Sequence, residues 1–478
     1  MTKRFVGRKE ELELLNDLIQ KKSASLITIQ GRRRIGKSRL VEEFAKKYKF
    51  IEISALAPSK NTSADLQRFA FAQQLSKYFP IDKLDSSDWM PIFSFLAQHV
   101  AQGRYVILFD EISWMGSCDP DFIAKLKNAW DIEFKYNPQL IMVLCGSVSI
   151  WIQEHIIQST AFLGRLSLTL KLNELSLEEC NEFLNEIGFV KQPHERLKIL
   201  SITGGIPRYL EEIKPNKTAD QNIIDLCFKK SGILFTEFTH IFTDIFGSKN
   251  TFYADVLRAL VGSPQESSEI SKAIGRPLGG NFSIMMNNLL VAGFIERDFT
   301  WQIKTGSESK LSHYRLSDNY IRFYLKYIEP AKSKIEKDMF APSGIDSLPG
   351  FHSIMGLQFE NLMLNNRLLL LKKINLRPHD IIYDNPYFQK GTLNQKGCQI
   401  DYLIQLKTQV LYACEFKFSK DKIGLKVIHE MKEKLNHLYL PKRFAIIPVL
   451  VCVNGVTEQA LDEDYFYHVI DISDVLEG

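Results

Sequence analysis

The chain has 478 residues, of which 45% are hydrophobic and 24% are charged, and its formal net charge at pH 7 is +4. A chain of this length is too long for one hydrophobic core and predicts about three domains, while the composition is that of an ordinary soluble globular protein. The small net charge neither indicates nor excludes a nucleic-acid partner, because a basic patch can be local.

The expected compartment follows from apolar patterning and cysteine usage. No apolar run approaches the roughly twenty residues of a membrane helix. No apolar region follows the basic residues near the N-terminus, so a signal peptide is not expected. The seven cysteines stand singly, without a Cys-x-x-Cys pair, which favours reduced thiols over disulfides or a zinc site. We expect a cytoplasmic protein without a membrane partner.

A complete phosphate-binding loop spans residues 31–38 and reads Gly-Arg-Arg-Arg-Ile-Gly-Lys-Ser. It follows a predicted buried strand at 25–29 and precedes a predicted helix at 39–45, so the phosphates would lie at a helix N-terminus. Glycines let backbone N–H groups face phosphate oxygens, the lysine supplies charge to the β- and γ-phosphates, and the serine hydroxyl can bind Mg²⁺. The candidate nucleotide-binding residues here are Gly31, Gly36, Lys37, Ser38 and Arg39.

Two further predicted strands end in polar residues. The strand at 105–109 runs into Asp110, which would hold the Mg²⁺ shell, and Glu111, which would orient or deprotonate the attacking water. The alternative is a strand that ends in solvated acids. The next strand ends in Ser147, which could bond the γ-phosphate or the attacking water, or could belong to an ordinary turn.

These motifs stand in the order found in the archaeal-type ATPases, a branch of the AAA+ and STAND P-loop class, and the first half of the chain resembles that family. The resemblance implies ATP as the nucleotide and a P-loop core with a parallel sheet. The motifs that carry it are 5–8, the phosphate loop, Asp110-Glu111, Gly146-Ser147, 162–165 and 204–210.

The family resemblance also implies roles for residues outside the phosphate loop. Val6, Gly7 and Arg8 would line the adenine side of the pocket. Pro207 and Arg208 would contact the nucleotide from a helical lid, although Gly-Gly-x-Pro also marks inter-helix turns in general.

Two residues would act near the γ-phosphate by the same resemblance. Ser147 would be the first sensor, and Arg165 would be an arginine finger, often delivered from another subunit of a homo-oligomer. A solvated or salt-bridged surface arginine is the alternative for Arg165.

The middle of the chain predicts two modules. After a core at 1–171, amphipathic helices at 172–246 would form the lid, which begins with a capping box at Ser176. Residues 247–330 predict a winged helix with two strands around a tip at 306–309. Its third helix has an expected apolar face of Ile284, Leu289 and Leu290 and is poor in Lys and Arg. Direct DNA reading and a role as a spacer or protein-docking unit therefore both stay open.

A linker is predicted at 331–350, followed by a C-terminal domain at 351–478. A helix at 352–371 would carry Glu360, and strands at 398–404 and 410–418 would form a hairpin. Alternation places Glu415 and Lys417 on one face of the second strand, and Asp401 on the first strand can join them.

This constellation resembles the PD-(D/E)xK nucleases and implies an α/β restriction-endonuclease-like domain. Two carboxylates would hold Mg²⁺ while the lysine orients water or offsets charge at the scissile phosphate. The implied catalytic residues are Asp401, Glu415 and Lys417, and the implied metal ligands are Glu360, Asp401 and Glu415. A cross-strand salt bridge on a solvated sheet face is the alternative.

The sequence as a whole predicts an α/β, Mg²⁺-dependent ATPase that controls a C-terminal nuclease-like domain acting on DNA. Two alternatives stay open. One is an ATP-gated switch or scaffold that binds a partner protein and has an inactive nuclease-like domain. The other is a DNA-binding regulator that does not cut.

Overall fold

The computed structural model describes residues 4–59, 61–81, 83–147, 150–246, 250–340, 342, 344–393 and 395–477. The chain divides into two compact units, residues 1–174 and 175–478. The predicted boundary at 171/172 lies close to this division, and the finer predicted divisions at 246, 330 and 350 fall within the second unit.

The first unit contains a five-stranded parallel sheet with the order β2-β3-β4-β1-β5. The strands predicted from the apolar runs are confirmed. Because β4 lies between β1 and β3, the carboxyl ends of these three parallel strands lie side by side at one edge of the sheet. These ends carry the phosphate loop, Ser147 and Asp110. The strands are β1 (Ser25–Gly31), β2 (Lys49–Ser54), β3 (Tyr105–Asp110), β4 (Ile141–Ser147) and β5 (Leu166–Leu172).

Helices pack against this sheet and bury an aromatic cluster. Phe71 contacts Trp89 and Phe109 with ring centroids 5.5 and 5.2 Å apart, and Trp89 contacts Phe93 and Phe122 at 5.5 and 4.8 Å. Edge-to-face and offset contacts of this kind add to the burial of apolar area. The helices are α1 (Lys9–Asp17), α2 (Lys37–Ala45), α3 (Ala64–Leu75), α4 (Trp89–His99), α5 (Ile112–Ser117), α6 (Phe122–Ile132) and α7 (Ile150–Ile152).

The second unit opens with helices, as the amphipathic pattern predicts. The capping box at Ser176 is confirmed, because its side chain accepts from the Glu179 N–H while the Glu179 carboxylate accepts from the Ser176 N–H. The helices are α8 (Leu177–Glu186), α9 (Pro193–Thr203), α10 (Pro207–Leu210), α11 (Ala219–Cys227) and α12 (Ile233–Phe246).

Three helices and a hairpin follow in the order predicted for a winged helix, and that identification stays a prediction. Two details of the prediction are wrong. Ile284 is 60% exposed, because Phe282, Met285 and Met286 supply the buried face instead. Ser307 already belongs to a strand, so the tip is shorter than expected. The elements are α13 (Asn250–Ala259), α14 (Ser267–Ala273), α15 (Gly280–Val291), β6 (Ile295–Gln302) and β7 (Ser307–Leu316).

Most described residues of the segment predicted as a linker, 331–350, are exposed, but some of its apolar side chains are packed. Its first residues continue a helix, and the Ile335 and Ile345 side chains are buried. Asp346 accepts a salt bridge from Lys198 at 2.9 Å. Residues 341 and 343 of this segment lie outside the described residues. The helix that precedes this segment is α16 (Asn319–Phe323), and the helix that runs into it is α17 (Glu329–Glu336).

The C-terminal part of the second unit holds a mixed sheet with the order β12-β11-β10-β9-β8. Strands β8 to β10 are antiparallel, and β10, β11 and β12 are parallel. The elements are α18 (Phe351–Asn365), α19 (Arg367–Lys373), β8 (Ile381–Gln389), β9 (Cys398–Leu406), β10 (Val410–Lys417), α20 (Lys426–His437), β11 (Ala445–Cys452), α21 (Glu458–Asp462), β12 (His468–Asp471) and α22 (Ser473–Leu476).

The helix expected at 352–371 is broken at Asn366, which lies between α18 and α19. Its φ of −114° and ψ of 38° interrupt the helix. The Asn366 Oδ1 atom accepts the N–H of Leu177 at 2.9 Å, at the first residue of α8. A side chain from a distant segment thus satisfies one of the N–H groups that a helix start leaves without an intrahelical partner.

The β6–β7 hairpin shares its core with the C-terminal sheet. Trp301 is 2% exposed and packs with Tyr387, Ile400 and Leu403, and its indole N–H donates to the Gln405 Oε1 atom. The hairpin and the sheet therefore form one hydrophobic core.

Within the described residues, no helix combines the length and the apolar character required to span a bilayer.

We expect Phe93→Ala to destabilise the first unit by about 3–5 kcal/mol, because it leaves a cavity in the aromatic cluster. The control is Phe69→Ala, since Phe69 is 56% exposed. Thermal unfolding of the full chain should show a fall of roughly 6–15 °C for Phe93→Ala and a far smaller change for the control. Equal shifts would contradict the assignment of the core.

Candidate nucleotide and carboxylate sites

Two glycines of the phosphate loop are required by the backbone. A Cβ atom on Gly31 would lie 2.9 Å from both the Ile35 Cγ2 atom and the Leu172 carbonyl oxygen. Gly36 has a φ of 91°, in the left-handed region, immediately before α2. The loop therefore turns sharply into the helix, which is the geometry that a phosphate cradle needs.

Lys37 is the first residue of α2 and is 6% exposed. Its ammonium donates to the carbonyl oxygens of Gly31 at 3.1 Å and Arg32 at 3.3 Å. The positive charge is thus held inside the loop, where it can meet phosphate oxygens.

Ser38 and Asp110 lie in direct contact although they are 72 residues apart in sequence. The Ser38 hydroxyl donates to the Asp110 Oδ2 atom at 2.9 Å, and the Asp110 Oδ1 atom accepts the Glu111 N–H at 3.1 Å. A hydroxyl beside a carboxylate is a pair of hard oxygen donors, so these two side chains fit Mg²⁺.

Glu111 follows β3 with a φ of 53° and turns its carboxylate towards the end of β4. The carboxylate accepts the Ser147 N–H at 3.3 Å and the Ser147 hydroxyl at 3.4 Å. Burial raises the pKa of Glu111 and the Asp110 charge adds to the rise, while the Lys37 charge opposes it. A carboxylate with a raised pKa is suited to accepting a proton from water.

The N-terminal motif braces the loop. Val6 is buried, and Gly7 and Arg8 both have positive φ. The Arg8 guanidinium donates to the carbonyl oxygens of Asn173 at 2.6 Å and Ile35 at 3.3 Å. This motif therefore ties the phosphate loop to the chain just after β5, and its adenine contact stays a prediction.

Two predicted arginines lie in surface ion pairs. Arg165 donates two hydrogen bonds of 2.8 Å to the Asp131 carboxylate, and these bonds hold the pKa of Asp131 well below its usual range. Arg39 is exposed and pairs with Glu42 at 3.0 Å. The roles of Arg165 as arginine finger and of Arg39 as nucleotide contact stay predictions.

Pro207 and Arg208 belong to the second unit. Pro207 is the first residue of α10, and the Arg208 guanidinium pairs with Glu211 and Glu212 of the same segment, each at 2.8 Å. Their contact with nucleotide stays a prediction.

The predicted C-terminal constellation is assembled on β9 and β10. Asp401 is 8% exposed and Glu415 is 1% exposed. The Lys417 ammonium donates to the Glu415 Oε1 atom at 2.9 Å, so the predicted alternation of β10 is confirmed. The Asp401 Oδ2 atom accepts the Phe416 N–H at 2.9 Å, which places Asp401 beside the second strand.

The sequence reasoning missed two residues of α20. The Lys434 ammonium lies 2.6 Å from the Glu415 Oε2 atom and 3.5 Å from the Asp401 Oδ1 atom. Glu430 accepts from Lys417 at 2.8 Å. The sequence pattern that could have identified them is their spacing, because Glu430 and Lys434 lie four residues apart on the amphipathic helix that follows the Glu-x-Lys strand.

The pKa shifts follow from this arrangement. Burial and the Glu415 charge raise the pKa of Asp401 to about 6. Burial lowers the pKa of Lys434, but the charges of Asp401 and Glu415 outweigh it and the net shift is upward. The pKa of Lys417 is raised in the same way by Glu415 and Glu430.

Glu360, on α18, is coupled to the pair by charge. Burial and the Asp401 charge raise the pKa of Glu360 to about 8, while the charges of Arg322 and Arg315 oppose the rise. Arg315 is buried and pairs with Asp298 at 3.0 Å.

No group of three His, Cys, Asp or Glu side chains in the described part of the chain is placed to hold a metal ion. Asp401 and Glu415 supply two carboxylates whose oxygens converge on one ammonium. Mg²⁺ is commonly bound by one or two carboxylates with water and substrate phosphate, so this pair fits a hard divalent cation. The assignment of Glu360 as a third ligand stays a prediction.

Residues 5–213 match the model of a family described as an ATPase domain predominantly from Archaea. The chain contains an archaeal-type ATPase domain. This identity implies ATP as the nucleotide, and the match reaches from the first unit into the first helices of the second.

Relatives of the ATPase domain and of the remaining chain are also found. An uncharacterized protein of Methanocaldococcus jannaschii, MJECL04, is 26% identical over 387 residues, which cover 81% of this chain and 82% of that protein. The Walker-type ATPase PABY2304 of Pyrococcus abyssi has a TM-score of 0.50 at 17% identity, over 67% of this chain and 96% of that one. The ORC2 protein of Aeropyrum pernix, solved as ADPNP–ADP complexes, has a TM-score of 0.42 at 15% identity, over 70% and 94%.

The raised pKa of Glu360 predicts a pH-dependent stability. The ordinary pKa is near 4.5 and the folded one about 8, so between these values the folded state keeps a proton that the unfolded state has lost. The free energy of unfolding should therefore fall as pH rises from about 5 to 8, by at most about 1.4 kcal/mol per pH unit from this group.

Denaturant unfolding of Glu360→Gln should show a shallower decline over this pH range than the wild type. Glu458→Gln, at an exposed position of α21, should follow the wild type. A Glu360→Gln profile parallel to that of the wild type would argue against a Glu360 that keeps its proton in the folded state above pH 5.

Proposed function

We propose that this protein is a Mg²⁺-dependent ATPase whose nucleotide state controls a C-terminal PD-(D/E)xK nuclease-like domain that acts on DNA. The contact that carries the proposal is the 2.9 Å hydrogen bond between Ser38 and Asp110. It joins the two side chains that a P-loop enzyme uses for its metal, next to a lysine already held in the loop.

The roles in ATP hydrolysis follow from the positions of the side chains. Mg²⁺, bound through Ser38 and the shell of Asp110, would neutralise charge on the β- and γ-phosphates. Lys37 would bind the same phosphates, and Glu111 would orient the attacking water and accept its proton. Ser147, bonded to the Glu111 carboxylate, would hold that carboxylate in place.

Arg165 is proposed to act across a homo-oligomer. Its bidentate pair with Asp131 holds the guanidinium at a partly exposed position of the single chain. In an assembly it would exchange this partner for the nucleotide of a neighbouring copy, where an arginine can stabilise the charge of the transition state.

The C-terminal proposal rests on Asp401, Glu415 and Lys417. Asp401 and Glu415 would hold the metal ion, and Lys417, kept in place by Glu415 and Glu430, would offset charge at a scissile phosphate. Residues 247–330 would connect the ATPase to this domain as a winged helix. The third helix, α15, contains no Lys or Arg, which favours a connecting role over direct DNA reading.

A second function is favoured by one observation. The Lys434 ammonium already contacts both Asp401 and Glu415, at 3.5 and 2.6 Å. If a metal ion cannot replace it, the domain would bind a partner without cutting, and the protein would be an ATP-gated switch or scaffold.

Lys37→Ala should weaken ATP binding at least about 100-fold, or about 2.7 kcal/mol, because the phosphates lose a buried counter-charge. Calorimetry with ATP and Mg²⁺ measures this. Lys46→Ala is the control, since Lys46 directly follows α2, the helix that begins with Lys37, and its side chain is 59% exposed. An unchanged ATP affinity in Lys37→Ala would remove the loop from the nucleotide site.

Glu111→Gln should bind ATP with the affinity of the wild type in calorimetry. Its rate of ATP hydrolysis should fall by roughly 10²–10⁴-fold.

Plasmid and single-stranded DNA should be cut in the presence of Mg²⁺ or Mn²⁺, and Lys417→Ala should lose the cleavage while it still hydrolyses ATP. Lys372→Ala, an exposed lysine on α19, should cut like the wild type. Comparing reactions with and without ATP shows the direction of control. ATP hydrolysis without cleavage under every condition would establish the switch function instead.

A further inference from the structure

We propose that Lys434 is the resident counter-ion of the C-terminal carboxylate pair, and that a divalent cation enters this site by displacing the Lys434 ammonium into solvent. The inference rests on the proposed metal role of Asp401 and Glu415. To that role it adds the displacement of the Lys434 ammonium as the step that accompanies metal binding.

The hydrogen bonds divide the four carboxylate oxygens into two pairs. One oxygen of each carboxylate binds a group other than Lys434: the Asp401 Oδ2 atom accepts the Phe416 N–H at 2.9 Å, and the Glu415 Oε1 atom accepts from Lys417 at 2.9 Å. The other two oxygens, Asp401 Oδ1 and Glu415 Oε2, both face the Lys434 ammonium, at 3.5 and 2.6 Å. The ammonium therefore lies where a cation shared by the two carboxylates would lie.

The burial of the pair explains why a counter-ion is needed. Asp401 and Glu415 are 8% and 1% exposed, so water cannot screen their mutual repulsion well. A buried charge left without its partner is strongly destabilising. Lys434 keeps the metal-free site folded, and a divalent cation supplies the same compensation with one more positive charge.

Lys434 is less firmly held in the site than Lys417, whose side chain is similarly exposed, at 33%. The Lys434 side chain is 30% exposed and extends from α20, whose Val427, Ile428 and Met431 side chains are buried. Its flexible stem can turn towards solvent while the helix stays packed. Lys417 is held on its other side by Glu430 at 2.8 Å, so it stays beside the metal.

Metal binding to this site is therefore an exchange of cations. An ion that binds must compensate for the loss of the Lys434 contacts as well as for its own dehydration. The site should consequently be weak for Mg²⁺ and Mn²⁺ in the wild type, and removal of the lysine should strengthen it.

Calorimetry with Mn²⁺ on the full chain tests the exchange. Lys434→Gln should bind Mn²⁺ about tenfold more tightly than the wild type, equivalent to about 1.4 kcal/mol. Lys432→Gln removes the same charge from the exposed side of the same helix, where that lysine lies over the Tyr465 ring. It should change the affinity by less than about twofold, since exposed charges are screened by salt.

A second measurement separates displacement from a general charge effect. Lysine acylation followed by mass spectrometry should show several-fold faster modification of Lys434 when Mn²⁺ is bound, with Lys432 unchanged. Equal Mn²⁺ affinities of wild type and Lys434→Gln, or unchanged Lys434 acylation with Mn²⁺ bound, would overturn the inference and leave the metal site in place.

Failure of the proposed metal role gives a different result. Asp401→Asn should abolish the Mn²⁺ binding that Lys434→Gln strengthens, while any binding through Ser38 and Asp110 persists; if the C-terminal site of Asp401→Asn binds as tightly as that of the wild type, the carboxylate pair is not the metal site. If neither the wild type nor Lys434→Gln binds Mn²⁺, both the metal role and the exchange are overturned.

Discussion

Burial of negative charge beside a lysine is the constraint on which both candidate sites depend. In the ATPase domain, Glu111 and Asp110 lie at the end of β3 with the Lys37 charge nearby, and burial raises the pKa of Glu111. In the C-terminal sheet, Asp401 and Glu415 face Lys434, and Lys417 supports the same pair. In each case, leaving the carboxylates without a cation would destabilise the folded protein, and this free-energy penalty gives the site its affinity for a cation.

Sheet topology brings these charges together. Because β4 is inserted between β1 and β3, the residues that end these strands share one edge, and Ser147 can bond the carboxylate of Glu111. The C-terminal sheet achieves a comparable result with an antiparallel pair, β9 and β10, covered by α20. The first arrangement fits phosphate binding at a helix start, and the second fits a cation between strands and helix.

Sequence predicted those features whose determinants are local. The phosphate loop, the strand that ends in Asp110-Glu111 and the alternation of Glu415 and Lys417 depend on neighbouring residues, and the structure places them as expected. Lys434 was missed because its partners are contributed by other strands. Ile284 was misassigned because the spacing of apolar residues in α15 admits more than one buried face, and packing with distant segments decides between them. The break at Asn366 depends on a partner in α8, and the pairing of Arg165 depends on Asp131; neither is visible in the local pattern.

The shared core of the β6–β7 hairpin and the C-terminal sheet has a consequence for how this protein can be divided. Trp301 lies among the core residues of the sheet, and the Arg315 guanidinium donates to the Asn361 side chain on α18, next to Glu360. A fragment that starts at the predicted boundary, residue 351, would lose both contacts and expose part of its interior. The smallest independently expressible piece that retains the carboxylate pair therefore has to include residues 295–316, and any exchange of this sheet between homologous proteins would have to carry the hairpin with it.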